Sequence, residues 1–160
     1  MHPSVHAQTH PDKPAIIVAE TGEIRSYRDL DEGSNRAAQF YRQCGLGHED
    51  VVAIMLENTP DYYNFVWGAQ RAGLRYVCIS SRLTADETDY ILENSGAKLF
   101  ILSASVPGLA AQLTTGIARY SYGGDIAGYL PVEPALAQQP AGPVADERAG
   151  VDMLYSSGTT

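Results

Sequence analysis

The chain has little with which to hold anions at long range, to cross a membrane or to build a disulfide or metal framework. Its 160 residues carry 11 Lys and Arg against 19 Asp and Glu, a formal charge of −8. That balance argues against nonspecific contact with DNA, RNA or anionic lipid. An anionic ligand would have to be held locally, by backbone dipoles or a few placed cations. There are only two cysteines, Cys44 and Cys78, each alone inside an apolar-periodic segment. They offer no metal-ligand spacing and read as buried free thiols in a reducing compartment. The longest apolar runs, Ala15 to Ala19 and Val51 to Leu56, are strand-sized and far short of the roughly 20 residues a spanning helix needs. Stable membrane insertion is therefore not expected. Met1 to His6 has neither an apolar core nor a cationic lead, so no export signal is read and a cytoplasmic protein is expected. Internal repeats and low-complexity tracts are also missing.

What is present is globular. Hydrophobic residues make up 44% and charged residues 19%, and the length suits one domain with a real core. Residues 14–19 read as a buried strand, 20–23 as a turn and Ile24 to Ser26 as a returning strand. Ser26 caps a helix with Asp29 in its first turn, and Gly45 ends it. The apolar run Val51 to Leu56 suits an inner strand covered on both faces. Thr59-Pro60-Asp61 starts a helix that runs to about Ala72. Arg75 to Ile79 is the next strand. Thr84 and Glu87 form a capping box for a helix ending at Ser95-Gly96, and Lys98 to Leu102 is another strand. This alternation predicts an α/β fold with a mainly parallel sheet flanked by helices.

Three sections follow from that reading: a βαβ core over 1–102, a variable connecting segment over 103–150 and a strand with a loop over 151–160. Inside the connecting segment only Ile117 to Tyr122 looks strand-like, with one short helix near Val132 to Gln138. The chain closes on Val151 to Tyr155, a strand, followed by Ser156, Ser157, Gly158, Thr159 and Thr160. A glycine-containing run of hydroxyl residues after a strand offers backbone N–H and O–H donors to phosphate.

Several segments resemble, in order, the adenylate-forming superfamily of acyl- and aryl-CoA synthetases, peptide-synthetase adenylation domains and luciferases. Pro11 to Ile17 is similar to its opening strand, Ser26-Tyr27-Arg28-Asp29-Leu30 to its first helix start, and Asp50 to Asn58 to its inner strand. Ala69 to Val77 is similar to the turn into the next strand. Asp152 to Thr160 resembles the start of the phosphate-binding loop, "(Y/T)-(S/T)-S-G-(S/T)-T-G-x-P-K-G". Trp67 to Leu74 and Ser81 to Glu87 lean toward bacterial acyl-CoA synthetases. The resemblance implies the N-terminal part of the large domain of such an enzyme, ending inside that loop. It also implies ATP, Mg2+ and coenzyme A as cofactors and a carboxylic acid, of the fatty acid class, as substrate.

By the same resemblance, Ser156, Ser157, Gly158, Thr159 and Thr160 would contact the ATP phosphates. No residue here is assigned to catalysis or to metal, and the piece alone is expected to be inactive. Two alternatives stay open: an adenylation domain of peptide-synthetase type, and a non-catalytic α/β binding or oligomerisation module. The aromatic helix with Tyr62, Tyr63, Phe65, Val66 and Trp67 reads as core packing. If part of that face is uncovered, a homo-oligomer is expected. His48 reads as solvated surface. His2, His6 and His10 fall in one amphipathic turn, where metal binding is the alternative to plain solvation. Asp86, Glu87 and Asp89 read as an acidic helix start favoured by the macrodipole.

Overall fold

The computed structural model describes residues 2–155. The chain opens with α1 (Pro3–Thr9), a full helix where one turn was expected, and the hairpin β1 (Pro14–Ile17) and β2 (Ile24–Ser26). Then come α2 (Tyr27–Gln43), β3 (Val51–Met55), α3 (Pro60–Arg71), β4 (Arg75–Cys78), α4 (Ala85–Ser95) and β5 (Ala97–Ser103). The remainder is α5 (Pro107–Ala110), β6 (Ala118–Tyr122), β7 (Leu130–Pro131), α6 (Val132–Ala137) and β8 (Val151–Asp152).

Side-chain caps set two of the long helices. The Ser26 hydroxyl accepts from the Asp29 N–H while the Asp29 carboxylate accepts from the Ser26 N–H at 2.8 Å. Thr84 and Glu87 repeat the arrangement at the start of α4. Each such cap is worth about 1 kcal/mol. Gly45 and Gly96 close these helices at φ 82° and 69°, left-handed values that a Cβ disfavours. Thr59 precedes Pro60 in extended conformation at the start of α3, as the sequence places it, and its hydroxyl makes no bond to the helix.

Six strands form one sheet in the order β7-β6-β5-β3-β4-β8, and every pairing in it is parallel. Each residue of β3 is buried. Along it, Val52 and Ile54 join Phe40, Tyr41, Phe65 and Val132 in one core, while Val51, Ala53 and Met55 join Ile91, Leu92, Phe100 and Ala110 in a second. Thus α2, α3 and α6 cover one face, and α4 and α5 the other. The aromatic helix α3 behaves as core packing at Phe65, which is fully buried, while Tyr63 is exposed.

The hairpin corrects the reading of a buried first strand. It pairs only with itself, is antiparallel, and has no buried residue. Ile17 and Ile24 are 64% and 56% exposed, because the hairpin stands off the main sheet and gains cover on one side only. Val18 and Gly22 form its turn through the Gly22 N–H to Val18 carbonyl bond. Among the described residues no helix is long and apolar enough to cross a membrane.

Helices α2 and α3 meet at Gly68, where an added Cβ would stand 2.5 Å from the Ala37 Cβ and 3.0 Å from the Ser34 carbonyl oxygen. At Gly33 the obstacle is only the movable amide of Asn64. Gly68→Ala is expected to lose about 1–3 kcal/mol to overpacking, against a helix-propensity gain of about 1 kcal/mol. Gly33→Ala is expected to be neutral or stabilising. Urea unfolding midpoints that fall equally for both would contradict this picture of the helix seam.

Candidate functional site

In a parallel sheet all carboxyl ends lie along one edge, and ligands settle where adjacent strands send their connections to opposite faces. That place here is between β3 and β5, whose connections also run on in opposite directions along the sheet, to β4 and to β6. The chain leaves β3 into α3 on one face and leaves β5 into α5 on the other. Glu57 follows β3, and Ser103 ends β5. The Ser103 hydroxyl donates to Glu57 Oε1 at 2.9 Å and stands 3.0 Å from the Ser105 hydroxyl.

Beside this point, at the ends of β3 and β4, runs a groove of about 490 Å³. It is lined by Leu56, Glu57, Asn58, Tyr62, Cys78, Ile79, Ser80, Ser81 and Arg82. The volume suits a small-molecule ligand. Among the described residues Arg82 has no ion-pair partner, so a cation stands at this edge of an acidic chain. The amino end of α3 opens onto the same edge and adds its partial positive charge.

Cys78 was expected to be buried. It is exposed instead, because β4 ends there and the residue lies at the sheet's rim. Its surroundings still crowd the sulfur: burial pushes the thiol up, and the bond with Tyr62 only partly offsets this. Burial, then the contact with Cys78, likewise holds the Tyr62 phenol well above its usual range. Nearby, the Tyr122 hydroxyl donates to Asp61 Oδ2 at 2.7 Å and is pushed up to about 12, first by burial and then by that carboxylate. Thiol and phenols are therefore neutral at physiological pH. The groove can hold a polar or anionic ligand through hydroxyls, Arg82 and backbone N–H groups; it presents no ready nucleophile.

The expected phosphate contacts Ser156, Ser157, Gly158, Thr159 and Thr160 lie outside the described residues. The structure does show how their segment is approached. Strand β8 pairs parallel to β4, with Val151 N–H on the Leu74 carbonyl at 3.0 Å and Met153 N–H on the Tyr76 carbonyl at 2.8 Å. It therefore runs toward the edge that carries the groove. Tyr155, the last described residue, donates to Asn94 Oδ1 at 2.7 Å.

The histidines do not gather. His2 meets Trp67 edge-on at 4.9 Å and His6 lies 5.0 Å from the Tyr27 ring. No cluster of three or more His, Cys, Asp or Glu able to hold a metal occurs among the described residues. His48 is exposed as expected, but Asp146 holds its Nε2 at 3.2 Å. The sequence reading missed Glu57, Ser103, Ser105 and Arg82. Their signal was positional: each stands at the carboxyl end of a strand or within four residues after it.

Comparison with known proteins places this geometry. A sequence profile described as "AMP-binding enzyme" matches residues 4–160. Human long-chain fatty acid transport protein 1 is 31% identical over 96% of this chain and 26% of its own length. The fatty acid–[acyl-carrier-protein] ligase ScoC of Streptomyces coeruleorubidus is 30% identical over 98% of this chain and 30% of its own. The chain thus spans between a quarter and a third of these relatives. Among solved structures, the anthranilate CoA ligase AuaEII aligns with a TM-score of 0.84 at 19% identity, covering 99% of this chain and 32% of that one. The N-terminal domain of FACL13 from Mycobacterium tuberculosis aligns at 0.82 and 24% identity, covering 98% and 41%. The fold is that of acyl-CoA synthetases.

Alkylation tests the electrostatics of the groove. With iodoacetamide, Cys78 is expected to react more slowly than a free cysteine at neutral pH, its rate still climbing where the free thiol has levelled off. Tyr62→Phe removes the bond that favours the thiolate and is expected to slow it further. A plateau at or below that of free cysteine, followed by mass spectrometry, would contradict the assignment.

Proposed function

Because the chain belongs to the AMP-binding enzyme family, we propose that it is the amino-terminal part of an ATP-dependent acyl-CoA synthetase. The enzyme activates a carboxylic acid as its adenylate, with release of pyrophosphate, and passes the acyl group to coenzyme A. The observation that carries this reading is the profile match running from residue 4 through Thr160, which takes in the hydroxyl-rich segment after β8. The fatty acid named in both curated relatives favours a fatty acid as substrate.

In this reading Ser156, Ser157, Gly158, Thr159 and Thr160 hold the ATP phosphates. The hydroxyls and amides donate, and Gly158 permits close backbone approach. Two anions must meet in the reaction, so positioning and charge neutralisation supply most of the catalysis. Mg2+ would contribute to the neutralisation, and no residue of this chain is assigned to it. The division into a βαβ core over 1–102, a connecting segment over 103–150 and a closing strand with loop over 151–160 is part of the same proposal. So are a cytoplasmic location and self-association through faces left uncovered in the piece alone.

A second acceptor is favoured by one observation. ScoC is by name a ligase to an acyl carrier protein, so a carrier-protein thiol replaces coenzyme A in the runner-up reading. Both share the first half-reaction.

The test is a graft. Residues 1–160 replace the matching portion of a fatty acid ligase relative, and acid-dependent ATP–pyrophosphate exchange is measured. The chimera is expected to exchange, the 160-residue chain alone to release no pyrophosphate, and Ser157→Ala in the chimera to cost roughly a hundredfold. A graft that folds but does not exchange, or that ignores Ser157→Ala, refutes the reading. Supplying coenzyme A or a holo carrier protein then separates the two acceptors.

A further inference from the structure

We propose that the Asp31–Arg71–Glu147 triad is a positioning device for β8 and, through it, for the segment that follows; the second part rests on the phosphate-binding reading given above. Arg71 is the last residue of α3, and only 6% of its side chain is exposed. Its Nη1 donates to Asp31 Oδ1 at 2.6 Å and to the Ser34 hydroxyl at 3.2 Å, both on α2. Its Nε donates to Glu147 Oε1 at 2.6 Å. One planar guanidinium thus ties two helices to the stretch of chain that enters β8.

Backbone bonds continue the attachment. The last carbonyls of a helix have no partner inside it. Here the Arg148 N–H takes the Arg71 carbonyl at 3.1 Å and the Gly150 N–H takes the Gln70 carbonyl at 2.7 Å. Val151 and Met153 then step onto Leu74 and Tyr76. Gly150 is pressed so closely to the Leu74 and Ala69 carbonyl oxygens that a Cβ has no room. A slip of one residue would bring a side chain into that contact.

The strand itself cannot fix this register. It is two residues long and lies at the sheet edge, with β4 as its only neighbour among the described residues. Its alignment therefore depends on what precedes it. The two helices already meet at Gly68 and Ala37, so what the buried guanidinium adds is the third partner, Glu147. Asp146, next to it, is held by Arg42 at 3.1 Å and by His48 at 3.2 Å. Those pairs are more exposed and screened by water.

Glu147→Gln tests the device while leaving the Asp31–Arg71 pair intact. In the 160-residue chain the amides of Gly150, Val151 and Met153 are expected to exchange with deuterium at least about tenfold faster, with those of α2 and α3 unchanged. Glu147→Asp, which keeps the carboxylate, is expected to retain most of the protection. Unchanged exchange in Glu147→Gln overturns the proposal. In the grafted enzyme the same substitution is expected to raise KM for ATP about fivefold or more while KM for the acid holds. A triad that only stabilised the fold would lower the amount of active protein and leave both KM values alone, and that result overturns the positioning role. If the unsubstituted graft does not exchange pyrophosphate, the functional reading falls, and the amide measurement decides the triad by itself.

Discussion

The side-by-side, same-direction pairing of β3 with β4 and β5 determines most of what surrounds it. Parallel neighbours cannot be joined by tight turns, so each step needs a crossover, and the crossovers here carry α3, α4 and α5. Because β3 is buried along its whole length, both faces of the sheet must be covered by apolar stripes. The connections are divided between the two faces accordingly, α3 and α6 on one and α4 and α5 on the other. The same arrangement brings every carboxyl end to one edge. Glu57, Cys78, Arg82 and Ser103, far apart in sequence, become neighbours of one rim because the strands before them share a direction.

Covering the first face calls on more than apolar contact. Connector residues 138–150 have little regular structure of their own, so their carbonyls need donors from elsewhere. Helix α2 supplies them from one stripe. Asn35 donates to the Ala141 carbonyl, Arg36 to that of Gln139, and Gln39 to those of Gly142 and Pro143. Arg42 reaches Asp146 and also the Ala72 and Leu46 carbonyls. Arg36 and Arg42 thus stand where a long segment without strands or helices must be held against a helix. Arg71 stands at the end of this stripe, where the connector turns into β8.

The parts legible in the sequence were those governed by local physics. Capping boxes at Ser26/Asp29 and Thr84/Glu87 depend on residues three apart, and the structure forms both. The apolar run of β3 announced burial on both faces. Less legible were features set by distant partners. Strand β7 is two residues long and gains its place only by pairing with β6, and nothing in Leu130-Pro131 alone marks it. Ile16 and Ile17 look like core residues until the hairpin is seen to stand off the sheet. The donors on α2 carry no local signal, since their partners lie some hundred positions later. The glycine–hydroxyl segment was visible as a motif, whereas of the rim residues Glu57 and Arg82 fell inside segments noted only as family-like, and all are brought together by topology alone.

Under the proposed function, an acidic chain and an anionic ligand have to be reconciled at short range. A charge of −8 repels phosphate at a distance, but salt confines that repulsion to about 8 Å at physiological ionic strength. Inside that distance the outcome depends on individual donors. At the rim, Glu57 is engaged by Ser103, Arg82 keeps its charge unpaired among the described residues, and the start of α3 contributes about half a positive charge. Hydroxyls and amides add attraction without changing net charge, and their strength depends on being aimed before the ligand arrives. Aim is a property of the strand ends. A two-residue edge strand such as β8 inherits it from the connector, so the buried guanidinium at the opposite end of α3 bears on the rim through the register it enforces.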